Sequence, residues 1–175
     1  MARRPVHAAA TGCLALALGV TGCGGGGHEV RRTTARPATT ATSPPGDLAR
    51  ARGQVSKVVN RFARAGQELR DSVGGQTTPQ QAATALRAFQ GKVRSAATAL
   101  SRLALPSAAA AAQRSLAAQF RAIANACQAS IDAGEAGDRT RFRSALRTFQ
   151  ARLNGPLGAR ARQAAVRLDA GLAAR

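Results

Sequence analysis

From Asp47 onward, apolar residues recur at steps of three and four, the period that places them on one side of an α-helix. Leu48, Ala51, Val55, Val58, Phe62, Ala65 and Leu69 form the first stripe. Asp47 is expected to cap its start and Gly74-Gly75 to end it. Thr78-Pro79-Gln80-Gln81 is a capping box with proline at the first helical position. It opens a second stripe of Ala82, Leu86, Phe89, Val93, Ala96, Leu100 and Leu103. Leu105-Pro106 breaks the chain. A third helix carries Leu116, Phe120, Ile123, Cys127 and Ile131 and is expected to close at Gly134. Asp138 caps a fourth, with Phe142, Leu146, Phe149 and Leu153. Asn154-Gly155-Pro156 then kinks or interrupts it, because proline removes a backbone donor and clashes with the preceding turn. Leu157, Ala161, Ala164, Leu168 and Leu172 continue the stripe beyond.

Short connections between long helices make neighbours antiparallel, and stripes at this spacing favour crossing angles near 20°. The expected fold is all-α: an up-down-up-down four-helix bundle over residues 47–175, its last helix kinked or split at Gly155-Pro156. At about 1.5 Å per residue, Phe62, Phe89, Phe120 and Phe149 fall at one height, one from each helix. They are expected to form a core aromatic layer that sets register in an alanine-rich bundle. The competing reading makes the four rings the floor of a ligand pocket.

The N-terminal region is built differently. Arg3 and Arg4 precede an apolar run from Ala8 to Val20, too short to cross a hydrocarbon core of about 30 Å. Small residues follow, as a signal-peptide cleavage region requires. Val20-Thr21-Gly22-Cys23 resembles the bacterial lipobox, and nothing beyond residue 23 takes part in the resemblance. It implies a diacylglyceryl thioether on Cys23, cleavage before that residue and further acylation of the new N-terminus, with palmitate as a typical chain. Two or three chains anchor stably where one does not. Residues 1–22 are then a signal peptide. Residues 23–46, rich in Gly, Thr, Pro and Arg, read as the lipidated cysteine and a disordered tether, because they hold too little apolar surface to offset ordering entropy.

From residue 47 the chain has no His, Tyr, Trp or Met. Without histidine, Ser-His and Cys-His nucleophile systems, common zinc sites and most haem ligation are excluded. No catalytic residue, cofactor or metal is therefore expected. Cys127, on an apolar stripe, reads as an inert core thiol. Glu68, Asp71, Asp132, Glu135 and Asp138 gather at one end of the expected bundle. Asp138 is accounted for as a cap, and nearby arginines neutralise the others, so a cation site is the weaker reading.

The formal net charge is +18. Nucleic acid is not the expected partner: the protein reads as exported, and its phenylalanines lie on core stripes rather than on a stacking surface. Anionic lipid headgroups or an anionic wall polymer are nearer partners, beside a solvated basic surface with no partner at all. Halving each helix puts the larger basic excess, Lys92 included, at the end where the tether enters. Together these features describe a lipid-anchored, non-enzymatic bundle on the outer face of the bacterial cytoplasmic membrane, an interaction or structural module with an unnamed protein partner. The alternative is a lipoprotein that holds an apolar or anionic small ligand between its helices.

Overall fold

The computed structural model describes residues 45–74 and 77–173. Six helical segments follow one another: α1 (Pro45–Ser72), α2 (Pro79–Ser101), α3 (Ser107–Ala126), α4 (Gln128–Glu135), α5 (Arg139–Asn154) and α6 (Pro156–Ala173). α3 and α4 are the arms of one bent helix, and so are α5 and α6. Four rods, two of them bent, thus pack around one core, with no strand among the described residues.

Local chemistry explains most boundaries. The Thr78 hydroxyl accepts from the Gln81 N–H while the Gln81 side chain accepts from the Thr78 N–H, closing the capping box at the start of α2. Asp138 caps α5 by accepting from the Arg141 N–H at 2.9 Å. Pro156 occupies the first position of α6, where its missing donor costs nothing. The bend before it also needs Gly158, because a Cβ there would meet the Leu153 carbonyl oxygen at 2.1 Å.

Three expectations about boundaries are corrected. α1 begins at Pro45, two residues inside the stretch assigned to the tether, and Asp47 lies in its first turn rather than at the cap. Proline suits a first helical position, so the helix reaches back to it. Gly134 does not close the third helix; it is buried within α4, and the chain turns at Gly137, whose φ of 70° is the left-handed conformation that glycine accepts. The third helix is also interrupted at Cys127, where neither proline nor glycine stands.

Pairwise contacts define the two ends. The Arg52 guanidinium of α1 donates to the Leu172 carbonyl of α6, and Gly171 lies against Ala108 and Ala109 at the start of α3. Asp47, Leu48 and Ala51 share a groove with Leu105 and Pro106. The start of α1, the α2–α3 turn and the end of α6 are therefore neighbours. At the opposite end, Gly134 sits against the Pro79 carbonyl and Ala83 of α2 and against Phe142 of α5. Between these ends the core is one continuous cluster, with Leu86, Val93, Leu100, Ile123 and Cys127 fully enclosed. α1 packs chiefly on α2 and touches α6 lightly.

Candidate functional site

The structure brings Phe62, Phe89, Phe120 and Phe149 together at mid-height, all buried. Phe62 of α1 stacks on Phe120 of α3, with ring centroids 4.5 Å apart and planes 12° apart. Phe62 also meets Phe89 of α2 at 6.5 Å, tilted by 48°. Phe89 meets Phe149 of α5 edge-on at 6.3 Å. The rings form a row, 120–62–89–149, rather than a closed square of edge-to-face pairs. Two of its three contacts, α1 to α3 and α2 to α5, join helices that are not consecutive rods. No phenylalanine lines either of the grooves described below, so the row is packed interior.

Two buried glutamines serve the backbone. Gln113 of α3 donates through Nε2 to the Leu100 and Leu103 carbonyls at 2.7 and 2.8 Å, satisfying acceptors that the end of α2 leaves open. Gln90 of α2 donates to the Ala124 carbonyl and to Gln128 Oε1, both at 2.9 Å. Ala124 lies just before the break at Cys127, so a side chain from a neighbouring helix occupies an acceptor of the interrupted ladder. The Cys127 thiol donates to the same carbonyl at 3.0 Å. Burial pushes this thiol up from 9.0 to about 11, outweighing the backbone hydrogen bond and the Arg94 charge that act the other way. It is protonated at neutral pH and has none of the thiolate character a nucleophile needs. Ser130 Oγ, one turn further on, is buried without a hydrogen-bond partner among the described residues.

The carboxylates are dispersed into separate contacts. Glu68 pairs with Lys92, Glu135 with Arg87, and Asp47 with Arg50 at 3.9 Å. Asp71 accepts from Gln67 and Asp132 from Gln128, each at 2.8 Å. Lys92 corrects the expected division of charge, because it reaches across the midline to a glutamate near the end of α1. Open grooves mark the surface of the described residues, and two of them bear on function. One, about 290 Å³, runs between α1 and α2 over Val58, Ala65, Ala96 and Ala99, with Arg61, Arg64 and Lys92 on its rim. The other, about 410 Å³, lies at the start of α1.

Sequence reasoning missed Gln90 and Gln113. The available signal was a glutamine beside or between core positions: Gln90 follows Phe89, and Gln113 stands three residues before Leu116. Cys23 and its lipobox neighbours lie outside the described residues, as does the tether before Pro45. Among the described residues no helix is long and apolar enough to cross a membrane. Comparison with family models, curated proteins and solved structures finds no match to this chain.

Proposed function

We propose that the protein is a lipid-anchored, non-enzymatic helical bundle on the outer face of the bacterial cytoplasmic membrane, where it acts as an interaction or structural module. In this reading Cys23 carries the acyl chains, a disordered tether leads to Pro45, and the rods are connected up-down-up-down. Opposed contacts such as 90 with 124 and 100 with 113 support that connectivity for α2 and α3. The observation that carries the functional reading is the continuous core with its ring-to-ring aromatic row, which leaves recognition to the surface. The protonated Cys127 thiol and the dispersed carboxylates point the same way. The experiment is acyl labelling in a bacterial host. The intact chain is expected to incorporate labelled palmitate, whereas Cys23→Ala stays unlabelled and uncleaved. Normal processing and membrane retention of that variant would refute the anchor.

The groove between α1 and α2 favours a second reading, in which a small apolar or anionic ligand rests on its alanine floor beneath Arg61 and Arg64. Its volume is at the lower edge of ordinary ligand pockets, about 300–1,000 Å³. A fatty-acid probe displaced by the substitutions Arg61→Gln and Arg64→Gln would support this reading over the first.

A further inference from the structure

Five of the 16 residues of α5 are arginine: Arg139, Arg141, Arg143, Arg147 and Arg152. All five are exposed, and no ion pair among the described residues includes any of them. The nearby acids are engaged elsewhere. Glu135 is held by Arg87, Asp132 by the Gln128 amide, and Asp138 by the Arg141 backbone N–H that it caps.

This arrangement works against the helix that carries it. Arg139, Arg143 and Arg147 follow at i, i+4, where like charges repel. Arg139 and Arg141 stand in the first turn, where the helix dipole favours anions. With no ion pair among the described residues to offset these penalties, the five charges face solvent.

The placement of the charges restricts what that is. With about 100° of rotation per residue, Phe142, Leu146, Phe149 and Leu153 turn toward the core, and Thr140, Ser144 and Ala151 form the opposite ridge, all exposed. Arg143 and Arg147 lie on one shoulder of this ridge and Arg141 and Arg152 on the other, roughly 150° apart around the axis. Arg139 continues the line of the first shoulder toward the edge of the core face, with successive positions about 6 Å apart along the axis. A flat bilayer touching the ridge meets neither shoulder squarely, and the ridge offers no large apolar side chain to insert. A single-stranded nucleic acid would find no ring to stack on, because all five phenylalanines are buried. A flexible linear polyanion lying along the ridge is reached from both sides. Guanidinium matches phosphate in particular, through paired N–H donors.

We propose that the outward ridge of α5 binds a linear, phosphodiester-linked polyol polymer, its phosphates held between the two arginine shoulders and hydrogen-bonded by the Thr140 and Ser144 hydroxyls. The choice of a cell-envelope polymer among polyanions rests on the extracytoplasmic placement proposed above; the binding strip does not.

The test uses the full chain in neutral detergent and a synthetic poly(glycerol phosphate) oligomer, titrated at several salt concentrations. Five phosphate contacts predict a slope of log K against log salt of about −3.5, close to a hundredfold loss between about 50 and 200 mM. The variant R139Q/R143Q/R147Q is expected to lose at least tenfold in affinity and to flatten the slope by about 2. The variant R114Q/R160Q/R167Q, with the same change in net charge and all three side chains exposed away from α5 and from both grooves, is expected to lose less than twofold. Thermal unfolding of both variants shows whether the fold is kept; relief of repulsion along α5 leaves R139Q/R143Q/R147Q at least as stable as the parent. An equal loss in the two variants, no binding of the oligomer, or equally tight binding of single-stranded DNA would overturn the proposal. Arginine-dependent binding to phosphatidylglycerol vesicles without binding to the oligomer would replace the polymer with a membrane. Cys23→Ala is expected to bind the oligomer unchanged, so failure of the anchor and failure of the strip are separately visible.

Discussion

Gln90 and Ala124 stand on different helices, yet the glutamine amide donates to the alanine carbonyl at 2.9 Å, just before the third helix breaks. With the weaker donor of the Cys127 thiol, the bond occupies an acceptor that the interrupted ladder leaves open. Gln90→Leu keeps the volume and removes the donor. It is expected to cost about 1–3 kcal/mol, the penalty of an unsatisfied buried group, measured as a shifted urea midpoint at unchanged slope. A cost below the error of the fit would mean that the thiol of Cys127 suffices at this carbonyl.

The glycines divide into two groups with opposite expected responses. A Cβ on Gly134 would stand 2.6 Å from the Pro79 carbonyl oxygen and 2.7 Å from the Ala83 Cβ, so α2 and α4 would have to separate. Gly134→Ala is expected to destabilise by about 1–3 kcal/mol, as overpacking does. Gly53, Gly66 and Gly91 have open space around the same position. Alanine at each is expected to stabilise by about 0.5–1 kcal/mol through helix propensity. Thermal melts of the four single variants decide both signs.

Within the aromatic row, Phe62 and Phe89 each touch two rings, whereas Phe120 and Phe149 each touch one. Truncation of any of them to alanine is expected to cost about 3–5 kcal/mol. The contacts themselves show in a double-mutant cycle between Phe62 and Phe120 with leucine replacements. A coupling of about 0.5–1.5 kcal/mol is expected, and Phe120 with Phe149, which share no ring contact, serves as the comparison. Equal coupling in both cycles would contradict the row.

Cys127 makes stability sensitive to alkaline pH. The folded thiol keeps its proton up to about 11, while the unfolded one loses it near 9.0. Between these values the unfolded state binds fewer protons, so stability falls as pH rises, by at most about 1.4 kcal/mol per unit, and is independent of this group below. Cys127→Ala is expected to show a shallower decline over that window. Parallel pH curves for the two proteins would show that the thiol is not the source.

The stripes of Leu86 to Leu100 and Phe142 to Leu153, the Thr78 capping box and the Gly155-Pro156 interruption were legible because each depends on residues within one or two turns. The bend at Cys127 was not. Its partner, Gln90, lies on another helix, and a local pattern carries no trace of a hydrogen bond formed after packing. Gly134 was misjudged for a related reason: glycine stops a helix in isolation, but here it persists inside one because α2 approaches too closely for a side chain. The meeting of the phenylalanines could be foreseen from helix rise alone, whereas their order in a row depends on crossing geometry. The arginines of α5 were visible as composition, but that no ion pair among the described residues includes them emerged only when Glu135 and Asp132 were seen to be engaged elsewhere.

α1 rests mainly on α2, with the Phe62 stack on Phe120 of α3 and the Arg52 bond to the Leu172 carbonyl of α6 as lighter ties. In terms of native-state hydrogen exchange, such a helix opens on its own more cheaply than rods gripped on several sides. Amides around Val58 and Phe62 should therefore exchange through a sub-global event while those around Leu100 and Ile123 wait for complete unfolding. Phe62 would then uncover Phe89 and Phe120 each time it leaves, and the protein would spend part of its life as a three-rod body with an open flank.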